Sequence, residues 1–254
     1  MLIDTHAHLN DERLAPLNDE IIKNMKSDGI AAIINVAYNY NSSVASVELA
    51  NKNKDIYAAV GIHPHDAKSA DNCAYDYFTR VAKNEKVVAI GEIGLDYHYN
   101  YSPEHTQIKV FLEQLELANS LNMPVVIHLR DAYEDMYNLL KDNRNKLRNG
   151  FMLHCYSGSA EMAERYNEFG PYYSFGGVIT FSNKEKVVKS IPRDRLLLET
   201  DCPYMTPVPM RGRLNIPAYI EYVADKMAEI LGKTSEEIAE ITSVNAARLF
   251  GRLQ

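Results

Sequence analysis

Apolar residues gather in short runs that recur along the chain: LIDTH, IAAIINVA, IYAAVGIH, VVAIGEIG, PVVIHLR, GFMLHCY, YYSFGGVI and RLLLETD. A strand with one wet face would alternate, but these eight runs are nearly continuous in apolar residues. That is the pattern of a parallel sheet covered on its outer side by helices. Segments with helical spacing lie between them. In EHTQIKVFLEQLELANSLN, Ile108, Phe111, Leu112, Leu115, Ala118 and Leu121 fall on one stripe at three- and four-residue steps. Ser102 and Pro103 suit the N-cap and first position of that helix, because proline lacks the N–H that would be orphaned there. Thr234 and Glu237 form a T-x-x-E capping box before IAEITSVNAARLF, and Gly251 is placed to end that last helix.

Strand and helix thus alternate about eight times, with no linker, low-complexity tract or charge block between them. The economical architecture is an α/β fold, one (β/α)8 TIM barrel, as a single domain over residues 1–254. An open doubly wound sheet would ordinarily carry a glycine-rich phosphate turn after its first strand, where this chain reads THAH.

Hydrophobic residues make up 46% and charged residues 24% of the chain, with no long polar tract, an ordinary globular composition that does not suggest disorder. A net charge of -7 argues against a broad basic surface that grips nucleic acid by neutralising phosphates, though not against a local phosphate site beside bound cations. MLIDTHAH has no basic n-region followed by an apolar stretch, and no run reaches the roughly 18 apolar residues of a membrane helix. A cytoplasmic protein with no membrane partner is expected. Cys73, Cys155 and Cys202 are odd in number and lack CxxC spacing, so they read as small buried hydrophobes in a reducing compartment, with strand alternation turning Cys155 and Cys202 away from their functional neighbours.

In a barrel of this kind the active site collects at the C-terminal ends of the strands. The first run ends in His6 and His8, which a strand would point to the same face. The third ends in His63 and His65, the fourth in Glu92 and Asp96, the fifth in His128, Arg130 and Asp131, the sixth in His154, and the eighth in Glu199 and Asp201. Six of the protein's eight histidines lie at these points. Burying so many ionisable groups in one mouth is costly without counter-ions, and divalent metals remove that cost. His6, His8, Glu92, His128, His154 and Asp201 make a natural binuclear set in which one carboxylate bridges two ions. Such a pair acidifies a shared water and so implies metal-assisted hydrolysis.

Taken in order, DTHAHL, GIHPHDA, GEIGLDYH, VIHLRDA, HCYSGS, LLETDCPY and SVNAARLFG resemble the TatD family of metal-dependent deoxyribonucleases, within the amidohydrolase-like metallohydrolases. The resemblance runs from residue 4 to residue 251. It implies a (β/α)8 barrel with two divalent ions that hydrolyses phosphodiesters, typically from the 3′ end of DNA, preferring single strands. By motif, His6, His8 and Asp201 would hold one ion, His128 and His154 the other, and Glu92 would bridge. Imidazole and carboxylate ligands accept zinc, manganese or magnesium, so the metal's identity stays open. A metal-bound hydroxide would attack phosphorus in line, with Asp201 accepting the water's proton. His63, not needed to complete the ligand set, is assigned to the scissile phosphate. Arg211 and Arg213 follow the eighth strand, where a basic residue can meet a backbone phosphate, and Arg211 is the better candidate. Where the family commonly has a second basic residue and then Asn-Glu-Pro, this chain reads Leu214 and then Asn215, Ile216 and Pro217. Tyr97, Tyr99 and Tyr101, with His98, stand beyond the fourth strand, where rings can stack on unpaired bases, and Tyr97 is the substrate-binding candidate. Arg130 reads equally as a salt-bridge partner of Asp131 or another neighbour.

Two other functions fit the same residues. The metal pair could serve a small carboxyl ester, lactone, amide or phosphoester, since the fold does not fix the substrate. A non-enzymatic metal- or nucleic-acid-binding protein is a third reading, weakened by the open mouth, because structural metal sites are normally closed by four protein ligands. The oligomeric state stays open, with a monomer compatible.

Overall fold

All eight apolar runs become strands of one sheet in the computed structural model, which describes residues 1–253. They are β1 (Leu2–Ala7), β2 (Ile30–Val36), β3 (Ile56–Val60), β4 (Val87–Asp96), β5 (Val125–Arg130), β6 (Phe151–Leu153), β7 (Tyr172–Phe175) and β8 (Leu196–Leu198). The spatial order is the chain order, and every neighbouring pair from β1 to β8 is parallel. The seam between β8 and β1 is closed by residues at and beyond the strand ends. Thr5 Oγ1 donates to Leu198 O at 2.9 Å, Asp201 N to His6 O at 2.9 Å and His8 N to Cys202 O at 2.8 Å. The fold is a nearly closed (β/α)8 TIM barrel, as its strand pattern predicted.

Helices α1 (Asn18–Asn24), α2 (Tyr40–Lys52), α3 (Asn72–Val81), α4 (Glu104–Ser120), α5 (Tyr133–Asp142), α6 (Ala160–Tyr166) and α7 (Glu185–Ser190) each follow one strand, and α8 (Ile220–Leu231) and α9 (Ser235–Leu249) follow β8. None is long and apolar enough to cross a membrane. Two apolar clusters explain the continuous runs. Alternate strand residues such as Ile3, Ile34, Tyr57, Val126, Met152 and Leu197 pack together inside the barrel. Their neighbours, among them Ile33, Val60, Val125, Leu153 and Leu198, pack outward against the helices. Both faces are therefore dry.

The last helix closes one end of this interior. Its capping box forms as expected, with Thr234 accepting from the Glu237 N–H and Glu237 accepting from the Thr234 N–H. Ala246, Leu249 and Phe250 join the interior cluster, Asn245 donates to the carbonyls of Arg193 and Leu196 before and at the start of β8, and Arg252 donates to those of Ala82, Asn84 and Val87 where β4 begins. The closing motif SVNAARLFG is thus a floor at the N-terminal ends of the strands. The helix stops at Leu249 with Phe250 as its C-cap, and Gly251 does not take a left-handed conformation.

One further expectation needs correction. Ser102 does not cap α4. Pro103 is the N-cap, and the Ser102 hydroxyl donates instead to His65 O and accepts from Lys68 N. The buried face of α4 also holds two glutamines, Gln107 and Gln114, beside Phe111, Leu115 and Ala118. Gln114 exchanges hydrogen bonds with both backbone groups of Ile62, just past β3, and Gln107 does the same with Asp96 at the end of β4. Their amides satisfy backbone groups at and just past the strand ends, at the level where the polar residues begin.

Candidate metal centre

His6 and His8 share a face, with their Nε2 atoms 3.2 Å apart. Four donors converge there. Glu92 Oε2 lies 3.4 Å from His6 Nε2 and 3.9 Å from His8 Nε2, and Asp201 Oδ1 lies 3.9 Å and 3.4 Å from the same two atoms. A tetrahedral ion with bonds of about 2.1 Å needs donors about 3.4 Å apart, so these edges fit one cation. The other oxygen of Glu92 serves a second group, since Oε1 is 2.8 Å from His128 Nδ1 and 2.9 Å from His154 Nε2, which are 3.3 Å from each other. One carboxylate thus divides its oxygens between two donor sets.

Local backbone makes that division possible. The ladder between β4 and β5 shifts register between Ile90 and Ile93, around Glu92, and then pairs Gly94 with His128. A methyl group on Gly94 would lie 1.9 Å from His128 O, so only glycine lets the two strands approach where Glu92 meets His128. Asp201 and Cys155 sit just past their strands with φ of 54° and 45°. Left-handed backbone there breaks the alternation that the sequence reading assumed. Cys155 is half-buried and lines the mouth of the site, Cys73 is exposed, and only Cys202 is buried, so two of the three cysteines are not core residues.

Two of the imidazoles are held by their far edges. His8 Nδ1 donates to Val36 O at 2.9 Å, leaving Nε2 as its inward donor atom, and His128 Nε2 faces Asp96 Oδ2 at 3.0 Å, leaving Nδ1 inward. His6 and His154 stack with ring centroids 3.9 Å apart. Glu199 Oε1 lies 3.4 Å from His154 Nδ1, and the carboxylate groups with His6 and His154 as a buried set. Glu199 is fully buried and neither of its oxygens has a hydrogen bond. Such outer carboxylates fix the ring and raise its basicity as a ligand. Asp96 and Glu199 stand at the strand ends noted in the sequence, but their orienting roles depend on distances that the sequence does not contain.

His63 differs. Its Nδ1 accepts the backbone N–H of His65 at 3.1 Å, so in the neutral ring the proton sits on Nε2, which faces Glu92 Oε1 at 3.5 Å. This edge donates a hydrogen bond, whereas a ligand must offer a lone pair.

Electrostatics follow from this packing. Burial pushes His63 down to about 4, and burial together with His154 lowers His6 against the pull of Glu92. Burial would lower His154 too, but Glu92 and Glu199 raise it well above the ordinary imidazole value, while Asp201 raises His8 and Asp96 raises His128. Burial would raise Glu92, yet His154, His63 and His6 hold it well below the usual carboxylate range. Beneath the site Asp4 is buried and pushed up to about 7, against the lowering effect of its hydrogen bonds from Thr200 N and Oγ1.

The donors open into a cavity of about 690 Å³ lined by His8, His63, Glu92, His128, His154 and Asp201, with Tyr38, Tyr99, Tyr101, Arg130, Phe181 and Tyr204 around them. Three relatives place the chain. A family model described as TatD related DNase matches residues 3–251.

The chain belongs to the TatD family.

It is 45% identical over 253 residues to a Bacillus subtilis protein named an uncharacterized metal-dependent hydrolase, YabD, covering 98% of this chain and 99% of that one. It is 30% identical over 259 residues to the protein of Escherichia coli named 3′-5′ ssDNA/RNA exonuclease TatD, with 98% and 99% covered. Among solved structures it superposes on the E. coli TatD homolog YjjV with a TM-score of 0.92 at 29% identity, covering 98% of each chain. This TatD-family protein is a metal-dependent hydrolase.

The remaining substrate candidates of the family reading stand apart from the donors. Tyr97 is not among the residues lining the cavity, and its hydroxyl donates to Asp135 at 2.8 Å. Arg211 also lies outside the lining. It donates to Thr206 O at 2.9 Å and covers the ring of Phe181, which does line it. Arg213 is exposed, with its carbonyl bound by Thr206. Asn215 is fully buried and its amide donates to the carbonyls of Thr200 and Tyr204, so it braces the loop after β8. Asp131 pairs with His98 at 3.0 Å and not with Arg130.

Proposed function

We propose that residues 1–254 act as one metal-dependent nuclease domain that removes nucleotides from the 3′ ends of single-stranded DNA, in which His6, His8 and Asp201 would hold one divalent ion, His128 and His154 a second, and Glu92 would serve both. The two-sided reach of Glu92, with Oε2 in the set of His6, His8 and Asp201 and Oε1 in the set of His128 and His154, is the observation that carries this reading. The donor chemistry fits divalent ions, since imidazole nitrogens and carboxylate oxygens converge there, with the outer edges of His8 and His128 already committed. When bound, such ions would acidify a water and neutralise charge on the phosphoryl oxygens. The protein's own groups supply the rest. Asp201, at the edge of the cavity, accepts a proton from the attacking water. His63, neutral and with its proton on Nε2, donates to a phosphoryl oxygen instead of ligating. The cavity is large enough for a nucleotide at a strand end. The name of the E. coli relative supports the 3′-5′ polarity and the single-stranded substrate.

Digestion of 3′- and 5′-labelled oligonucleotides, single and double stranded, after reconstitution with Mg²⁺, Mn²⁺ or Zn²⁺ tests this. Stepwise loss of the 3′ label from single strands is expected. Turnover of chromogenic esters or lactones with intact oligonucleotides would overturn it.

A further inference from the structure

The cavity wall contains one lysine or arginine, Arg130. Among the described residues its guanidinium makes no hydrogen bond or ion pair, and it lies over the ring of Tyr99, 4.8 Å away. Other basic groups near the mouth are committed. Arg13, over Tyr204, is held in a two-pronged pair with Asp11, and Lys184 donates to Ser157 O. Tyr99 in turn stacks on Tyr101, with centroids 5.4 Å apart and planes 13° from parallel. These rings are 48% and 60% exposed, a poor use of large apolar surface unless something covers them.

The stack is tied to the donors. The Tyr99 N–H donates to Asp96 Oδ1, His65 meets both rings edge-on, and the other oxygen of Asp96 holds His65 and His128 at 3.0 Å each. A free guanidinium, an exposed pair of parallel rings and a metal-ligating histidine therefore share one rigid connection. A solvated phosphate is the natural partner of an unpaired arginine, and the flat face of an unpaired base is the natural partner of an exposed tyrosine stack. A nucleotide next to the bond being cut carries both, joined by a sugar.

Resting on the nuclease reading, we propose that Arg130, Tyr99 and Tyr101 form a subsite for the nucleotide adjacent to the scissile phosphate, its phosphate on Arg130 and its base on the exposed face of Tyr101. The subsite holds the strand by charge and stacking, so it binds any base.

The test compares Tyr101→Leu and Arg130→Gln with the wild type on two pentathymidylates, one natural and one with an abasic residue beside the terminal linkage, and adds bis(p-nitrophenyl) phosphate for the wild type. Thermal melting checks that both variants fold. The wild type is expected to lose about ten-fold in kcat/KM through KM on the abasic strand, and Tyr101→Leu to lose as much on the natural strand but nothing further on the abasic one. Arg130→Gln is expected to raise KM on both and to flatten its dependence on salt. Equal abasic penalties in the wild type and Tyr101→Leu overturn the subsite while leaving the nuclease reading intact. A wild type that turns over bis(p-nitrophenyl) phosphate but cuts neither oligonucleotide overturns the nuclease reading and the subsite with it.

Discussion

The two ends of the barrel are built on opposite principles. At the floor, α9 and the residues after it present Ala246, Leu249 and Phe250 to an interior of Ile, Val, Leu and Met, and the donors of Asn245 and Arg252 are spent on carbonyls. At the rim, six histidines and four carboxylates crowd the strand ends, Glu199 and the Nδ1 of His6 have no hydrogen bond, and several residues take left-handed backbone. The floor settles its polar groups internally and so stabilises the fold. Charge is gathered at the rim at a cost to stability, which marks it as the working end.

If that division holds, rim substitutions remove chemistry and floor substitutions remove stability. The largest effect is expected for Glu92→Gln, because one substitution weakens both donor sets. Phosphodiester turnover should fall by about a thousand-fold or more, and bound metal measured by elemental analysis should drop to one ion per chain or none. Phe250→Ala, at the floor, should cost about 3–5 kcal/mol in urea unfolding while the folded fraction keeps its turnover. A loss of turnover per folded molecule there would blur the distinction between the two ends.

Glu199→Gln sharpens the comparison from the rim side. Chelator competition should show metal affinity reduced about 10- to 100-fold, because His154 loses the carboxylate beside its Nδ1. The pH dependence separates the ends differently. His154, His8 and His128 have raised values in the fold, so their contribution to stability without metal is complete below their unfolded value near 6.5 and is lost as pH rises through the raised ones. Metal binding needs those rings deprotonated, so the rise in melting temperature on adding Mn²⁺ or Zn²⁺ should grow from pH 6 to pH 8. A metal-induced shift that shrinks over that range would contradict the ligand assignment. The smallest effect, about 1 kcal/mol with no change in turnover, is expected for Thr234→Ala at the start of α9.

How much of this was legible in the sequence follows the same division. The strands could be read because burial of both faces writes itself as continuous apolar runs, and the convergence of His6, His8, Glu92, His128, His154 and Asp201 because they fall where those runs stop. The T-x-x-E cap was legible because it depends on residues three apart. What could not be read depends on contacts between distant elements. Gln107 and Gln114 look like ordinary polar positions of a helix until Asp96 and Ile62 are seen to need their amides. Cys155 was assigned to the wrong face because β6 ends at Leu153, before the alternation reaches it. Asp131 and Arg130 are adjacent, yet Asp131 turns to His98 and leaves the arginine to the cavity.

The claim on which the account depends is the proposal that Glu92 joins two metal sites. Anomalous diffraction at the Mn or Zn edge, from crystals of the metal-reconstituted protein, measures it directly. Two peaks are expected, one among His6, His8 and Asp201 and one beside His128 and His154, each against a different oxygen of Glu92. A single peak, or two that Glu92 does not join, would contradict it.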